Sequence, residues 1–161
     1  MSFFVDPSPS VGAPGDVHST QKMELGSRRT DNLGAEYIYL RGVSGTAVGS
    51  WVVYDEDYFT ILLDTDLVDQ GDVAIASAAV DATTEYGWYC IKAASVQGLA
   101  LTALGDNAIV FATSTGGSID DADTGVGYVH GALSRSVVNE TTFLAEFQIS
   151  YPFVTGADLP N

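Results

Sequence analysis

The chain has 161 residues and a formal charge of −15, from 21 acidic and six basic side chains. That length suits one domain with a sizeable core, and a hydrophobic content of 46% excludes a disordered chain. So negative a surface repels nucleic-acid phosphates and anionic membranes, and we expect neither as a partner. No apolar run approaches the roughly 20 residues that a membrane helix requires.

Residues 1–33 are predicted to form an extended N-terminal arm. Residues 6–20 read DPSPSVGAPGDVHST, with three prolines and two glycines and almost no periodic apolar content. Phe3, Phe4 and Val5 lie at the tip of the arm, and three exposed apolar residues there indicate that they dock on something. A neighbouring subunit and the chain's own domain are both open as the docking site.

Positive charge is concentrated in the same part of the chain. Residues 1–41 hold four of the six cations and five of the acids, whereas residues 42–161 hold two cations and sixteen acids. The N-terminal part is therefore nearly neutral, and the rest of the chain is strongly acidic.

Residues 34–154 are predicted to form a β-rich domain. Short runs rich in aromatic and β-branched residues alternate with Gly, Asp, Asn and Thr, which is typical of strands separated by turns. Such runs occupy residues 35–41, 50–55, 58–63, 72–80, 86–93, 107–113, 126–133 and 142–151. Their number and spacing predict an all-β fold, a compact β-barrel or β-sandwich.

Helical periodicity is nearly absent from this domain. TDLVDQ at 65–70 could form one turn of helix, and QGLALTALGD at 97–106 is ambiguous between helix and strand. Residues 155–161 are predicted to be an irregular C-terminal tail, and the whole closing run PFVTGADLPN shows no regular pattern.

The sequence contains no catalytic signature, and we expect no enzyme activity, cofactor or bound metal. Only His18 and His130 could serve as an imidazole base, and His130 in VGYVHGAL suits a core or strand-surface position better. Cys90 is the single cysteine, and its apolar surroundings GWYCIKA favour a small buried residue over a nucleophile. The absence of disulfides and of a basic, secretory-type N-terminus predicts synthesis in a reducing compartment.

Acidic residues cluster in two stretches. YDEDY at 54–58 falls between two predicted strands and suits a solvated turn. The stretch ATSTGGSIDDADTG at 112–125 superficially suits a calcium loop, because Asp120, Asp121 and Asp123 precede Gly125. The EF-hand spacing is incomplete and no Glu closes the loop, so a turn between strands is the favoured interpretation.

Residues 85–133 read EYGWYCIKAASVQGLALTALGDNAIVFATSTGGSIDDADTGVGYVHGAL and resemble the capsid decoration, or cement, proteins of tailed bacteriophages. The segment QKMELGSRRTDNLGAEYIYLRG at 21–42 is similar to the run that precedes the first strand of their body. The resemblance covers residues 21–151. Its matching elements are Tyr86–Trp88, Ala94–Val96, Gly105–Asp106, Ala112–Thr113, Gly117–Ala122, Gly127 and Gly131–Leu133.

This resemblance implies a structural virion protein that binds the outer capsid surface and stabilises contacts between capsid subunits. Its expected partners are the major capsid protein and further copies of the chain, in a homo-trimer or another homo-oligomer. From residue type, we predict the capsid-binding residues Phe3, Phe4, Val5, Arg28 and Arg29, because aromatics and arginine are enriched at interface centres.

A carbohydrate- or receptor-binding β module of a tail fibre or adhesin is the alternative. In that case Trp51 or Trp88 would lie exposed beside the acidic turns and stack on a sugar ring.

Overall fold

The computed structural model describes residues 2–5, 11–66, 71–123 and 125–155. Every regular element within these ranges is a strand, which confirms the predicted all-β class. No helix in them is long and apolar enough to cross a membrane. The strands are β1 Val17–His18, β2 Arg28–Thr30, β3 Glu36–Arg41, β4 Trp51–Tyr54, β5 Thr60–Leu62, β6 Gly71–Ala76, β7 Tyr86–Leu99, β8 Ile109–Ala112, β9 Ile119–Asp120, β10 Tyr128–Ser134 and β11 Leu144–Thr155.

The strands form one large antiparallel sheet that does not close into a barrel. Its order is β2-β3-β7-β6-β11-β10-β8-β9, with β4 and β5 continuing beyond β6 and β1 beside the start of β7. The two long strands β7 and β11 organise the sheet. The first half of β7 pairs with β3, its second half pairs with β11, and β6 bonds to both long strands.

The central strands are buried on both faces. In β3, Tyr39 faces a larger core that also contains Trp88, whereas Leu40 faces a smaller core that also contains Tyr89. Successive side chains of a strand point to opposite faces, so a strand covered on both sides must be apolar at nearly every position. This explains why the runs AEYIYLR and GWYCIKA show little alternation.

The described part of the predicted N-terminal arm belongs to the fold, contrary to the expectation of an extended arm. Val11 is fully buried, and the indole Nε1 of Trp88 donates a hydrogen bond of 3.0 Å to its carbonyl oxygen. β1 pairs with the start of β7, and β2 pairs with β3. Backbone pairing and a buried valine outweigh the high proline and glycine content. Residues 6–10 lie outside the described ranges.

The C-terminal end also differs from the expectation of an irregular run. Strand β11 continues through Pro152, Phe153 and Val154 to Thr155, and residues 156–161 lie outside the described ranges. Of the predicted helical turn at 65–70, residues 65 and 66 form a bend, and 67–70 also lie outside those ranges.

Candidate interaction surfaces

The chain's first residues extend the edge of the sheet beside the end of β2. The amide of Val5 donates to the carbonyl of Thr30 at 2.9 Å, and the amide of Asn32 donates to the carbonyl of Phe3 at 2.8 Å. Phe4 forms an antiparallel bridge with Asp31 between these two bonds. The structure thereby brings residues 3–5 next to β2, the strand that carries Arg28 and Arg29.

Phe4 itself points into the larger core. Its side chain is 2% exposed, with its ring 4.8 Å from that of Trp88 and 5.7 Å from that of Tyr37. The prediction that Phe4 contacts a capsid directly is therefore wrong for this conformation, because a buried ring cannot reach a partner. Of the two docking sites left open by the sequence, a neighbouring subunit and the chain's own domain, Phe4 takes the second.

A buried carboxylate fixes the same segment. Asp31 accepts hydrogen bonds from the hydroxyls of Ser2 and Tyr37 and from the amides of Leu33 and Ala35. Burial alone would raise the pKa of Asp31, but these hydrogen bonds together lower it, because donors that face a carboxylate favour its charged form. Asp31 thus connects the chain's beginning to the turn that follows β2.

Apolar residues on either side of Phe4 face solvent instead. Phe3 is 57% exposed and Val5 is 64% exposed, and the neighbouring Leu33 is 78% exposed. Arg28 is exposed as well, whereas Arg29 is half-buried and donates from Nη1 to the carbonyl of Arg28. We call Phe3, Val5, Leu33, Arg28 and Arg29 the N-terminal edge. Of the five predicted capsid-binding residues, four lie on it.

A second surface lies where β8, β10 and β11 run side by side. Four rings follow one another across these strands. The ring of Phe111 is 5.5 Å from that of Tyr128, Tyr128 is 4.2 Å from His130, and His130 is stacked on Phe153 at 4.5 Å with an angle of 8° between the planes. Phe153 is 44% exposed, and nearby Ile109 is 49% exposed. We call Ile109 and these four rings the aromatic face.

A β-bulge shapes the centre of this region. The register of β10 against β11 shifts between His130 and Ala132, at Gly131, which has φ +74°. A Cβ at Gly131 would lie 2.7 Å from the carbonyl oxygen of Ser150, so this position favours glycine both for its conformation and for its space. Pro152 lies in β11 opposite the bulge, and prolines in sheets are confined to such sites and to edges.

Lys92 and Arg135, the two cations of residues 42–161, flank the aromatic face along β11. The Lys92 ammonium lies 3.7 Å from the Glu36 carboxylate and 5.6 Å from the centre of the Tyr151 ring. Arg135 donates to the side-chain oxygens of Gln148 and Asn107. The hydroxyl of Tyr151 donates to Glu36, which raises the pKa of Tyr151.

The acidic stretch 112–125 contains the short strand β9, Ile119–Asp120, between turns held by side-chain hydrogen bonds, and residue 124 lies outside the described ranges. The side chain of Asp120 accepts from the amide of Asp121, that of Asp121 accepts from the amide of Gly105, and that of Asp123 accepts from the amide of Gly125. Burial raises the pKa of Asp120; the amide of Asp121 opposes this increase, and the carboxyl group of Asp121 adds to it. Among the described residues, no three His, Cys, Asp or Glu side chains are placed to hold a metal ion.

The YDEDY stretch forms the rim of an open cleft of about 690 Å³. Asp55 accepts from the amides of Asp57 and Phe59, so its side chain closes the turn between β4 and β5. Arg28 and Asp72 line the cleft from other strands. Burial raises the pKa of the Tyr54 phenol there to about 12, with a smaller effect from Asp72.

The other candidate residues lie within the sheet. Trp51 and Trp88 are fully buried, so neither can stack on a sugar as the carbohydrate-binding alternative required. Cys90 is fully buried too, and burial raises the pKa of its thiol to about 12. His18 contacts the hydroxyl of Tyr39 at 2.8 Å, and Nε2 of His130 contacts the hydroxyl of Thr155 at 3.1 Å.

Comparisons of the chain with protein-family models, with curated proteins and with solved structures find no match. The surfaces themselves are therefore the evidence for function.

Sequence reasoning missed Leu33 and the aromatic face. Leu33 stands alone among polar residues in TDNLGAE, where a single apolar residue in a turn is an ordinary feature. The face combines residues from three separate strands. The strand run predicted at 142–151 located most of β11, but the continuation through Pro152 to Thr155 was interpreted as an irregular closing run.

Proposed function

We propose that this protein is a non-catalytic structural protein that decorates the outer surface of a bacteriophage capsid and attaches through its N-terminal edge. The observation that carries the proposal is the exposure of Phe3, Val5 and Arg28 on one sheet edge of a chain that is otherwise acidic. The resemblance of residues 21–151 to decoration proteins supplies the class of partner, the major capsid protein.

The composition of the edge suits an interface. Aromatic residues and arginine are enriched among the residues that dominate binding energy, and Phe3 with Arg28 provides one of each. β2 lies at one end of the sheet order, and residues 3–5 bond to the backbone at its end. The exposed side chains of this edge therefore offer the contact. Phe4 and Asp31 are buried, so they position the exposed side chains of the edge without contacting the partner themselves.

The charge distribution supports an orientation in which the N-terminal edge faces the capsid and the acidic body faces solvent. The sixteen acids of residues 42–161 are best placed in solvent, where like charge keeps decorated particles apart. Four of the six cations, including Arg28 and Arg29, belong to residues 1–41. An acidic body with a nearly neutral attachment edge can bind a shell surface without repelling it.

Decoration requires binding energy and no active site. Many copies that each cover a contact between capsid subunits add their interface energies, and multiple attachment gives avidity beyond that of one copy. On this proposal the protein is made in the host cytoplasm and ends on the virion surface, together with other copies of itself.

The test is binding to capsids assembled without this protein. We expect the wild-type chain to sediment with the capsids and to raise their resistance to heat. The double variant Phe3→Ser with Val5→Ser should lose at least about tenfold in affinity, since truncation of a residue central to an interface removes 2 kcal/mol or more. Val48→Ser is the matched control, because Val48 is an exposed apolar residue in the loop before β4.

Two results would contradict the proposal. If the wild-type chain stays in the supernatant, the hypothesis of capsid decoration is wrong. A double variant that binds as well as the Val48→Ser control would leave decoration in place but remove the N-terminal edge as the attachment site.

A further inference from the structure

The aromatic face continues along β11 into an uncharged polar surface. Phe153 is 44% exposed although His130 is stacked on it. Nearer the start of the strand, Gln148 and Ser150 are exposed and alternate with buried neighbours. Alternate side chains of a strand point to opposite faces, so the exposed ones share the outer side of the sheet. Aromatic rings therefore lie beside amide and hydroxyl groups on one surface.

Two open grooves lie on this surface, and the Tyr128 ring lines both of them. The first groove has a volume of about 630 Å³ and is also lined by Ile109 and Phe111. Its polar side chains are Asp123, which accepts hydrogen bonds, and Thr155, whose hydroxyl can donate and accept. Apolar walls with a few fixed polar groups are typical of sites for small molecules.

The second groove has a volume of about 320 Å³ and lies above the bulge at Gly131. Glycine has no side chain, so this position leaves space between Tyr128 on one side and Gln148 and Ser150 on the other. Arg135 donates to Oε1 of Gln148 from two nitrogens and thereby fixes the amide group. The amide nitrogen of Gln148 can still donate to a ligand.

Charge restricts the class of ligand. The border of the face contains more carboxylates than cations, namely Glu36, Asp72, Asp120, Asp123 and Glu146 against Lys92 and Arg135. An anionic ligand is therefore repelled. Among the described residues that line the two grooves, Asp123 is the one charged group, so a basic ligand gains little inside them. An uncharged polar ligand suits both observations.

An extended peptide suits the face less well, because the backbone of its strands is already paired. β8 is bonded to β9 and β10, β10 is bonded to β8 and β11, and β11 is bonded to β10 and to β6 and β7. A peptide that adds as a further strand requires an open edge. Recognition on this face therefore falls to side chains.

We propose that the aromatic face binds a neutral carbohydrate, with sugar rings stacked on Tyr128 and Phe153 and sugar hydroxyls bonded by Asp123, Gln148 and Ser150. A sugar ring has an apolar C–H surface surrounded by hydroxyl groups, so it requires an aromatic ring and polar side chains together. Both kinds of neighbour meet here. The buried tryptophans have no part in this site.

The test uses the purified chain alone, so its outcome is separate from that of the capsid-binding test. The probe is an array of neutral and acidic oligosaccharides, and we expect binding to neutral ones. Titration of the strongest neutral binder into ¹⁵N-labelled protein should shift amide resonances of β8, β10 and β11. Phe153→Ala should weaken binding by about tenfold or more, because it removes a stacking ring. Phe143→Ala is the matched control, since Phe143 is 47% exposed and lies outside the face.

A second variant tests the polar half of the site. Gln148→Met keeps the length of the side chain but removes its amide, and binding should weaken severalfold. Urea unfolding of both face variants should match that of the Phe143→Ala control. A wild-type chain that binds no neutral oligosaccharide on the array would overturn the inference. So would a preference for acidic oligosaccharides, or binding that both face variants leave at wild-type strength.

Discussion

The N-terminal edge and the aromatic face both expose apolar side chains, but the fold holds them in different ways. The edge depends on a few backbone hydrogen bonds and on the buried Phe4 and Asp31. The aromatic face stands on β8, β10 and β11, of which β11 is bonded to β10 on one side and to β7 and β6 on the other.

This difference predicts different mechanical behaviour. A segment held by few contacts can open locally at small free-energy cost, whereas a long strand bonded on both sides, such as β11, opens only with a large part of the fold. We therefore expect the N-terminal edge to adapt its shape to a partner. The aromatic face should present the same surface whether or not a partner is bound.

The largest expected effect comes from Trp88, which lies in the larger core beneath Phe4. Trp88→Ala removes the ring beneath Phe4 and the hydrogen bond to Val11. We expect the free energy of unfolding to fall by about 3–5 kcal/mol, the range for large aromatic side chains in cores. Urea denaturation measures this change. Phe3→Ala should change it by less than about 0.5 kcal/mol, as for other exposed positions. An equal loss in the two variants would show that Trp88 does not support the fold as described.

A change at Asp31 should act on the N-terminal edge alone. Asp31→Asn leaves one or more of its four donors poorly matched, which should cost about 1–3 kcal/mol near neutral pH. Because the pKa of Asp31 is lowered in the folded state, the stabilisation is complete above the unfolded pKa of about 3.9 and is lost as pH falls through the folded value.

Hydrogen exchange and acid unfolding can test this effect together. The wild-type chain should lose protection of the Val5 and Asn32 amides in acid before the central strands open. In Asp31→Asn the loss should be present already at neutral pH and should vary less with pH. If both proteins show the same acid dependence, Asp31 is not the group that holds the edge.

An effect of similar size tests the bulge beside the aromatic face. Gly131→Ala places a methyl group near the Ser150 carbonyl at a positive φ and should destabilise the fold by about 1–3 kcal/mol. The ring stack next to it should shift as well, which near-ultraviolet circular dichroism can detect. Gly15→Ala is the matched control, because no atom lies within 4 Å of a Cβ built there. An equal effect at both glycines would remove the bulge as a structural constraint.

The sequence predicted much of the sheet. Aromatic and β-branched runs located β3, β4, β5, β6, β8 and β10 to within a few residues, because turn residues bound each of them. The two long strands were located only in part, since β7 continues past the predicted end at residue 93 to Leu99 and β11 continues past residue 151 to Thr155. Strand order could not be predicted, since it depends on contacts between distant residues such as the pairing of Phe147 with Val96.

The N-terminal edge was predicted only in part. Residue type suggested Phe3, Val5 and Arg28, but the burial of Phe4 depends on a slot formed by Tyr37 and Trp88 from other strands. The prolines of residues 6–20 suggested an extended arm because proline disfavours regular structure. Val11 and β1 nevertheless pack on β7, since tertiary contacts outweigh local preference.

The most direct test of the central claim is an electron cryomicroscopy map of capsids with this protein bound. The account predicts that each copy contacts the shell through Phe3, Val5 and Arg28 and that the acidic stretch 112–125 faces solvent. Capsids without added density would contradict decoration, and density that meets the shell through the stretch 112–125 would contradict attachment by the N-terminal edge.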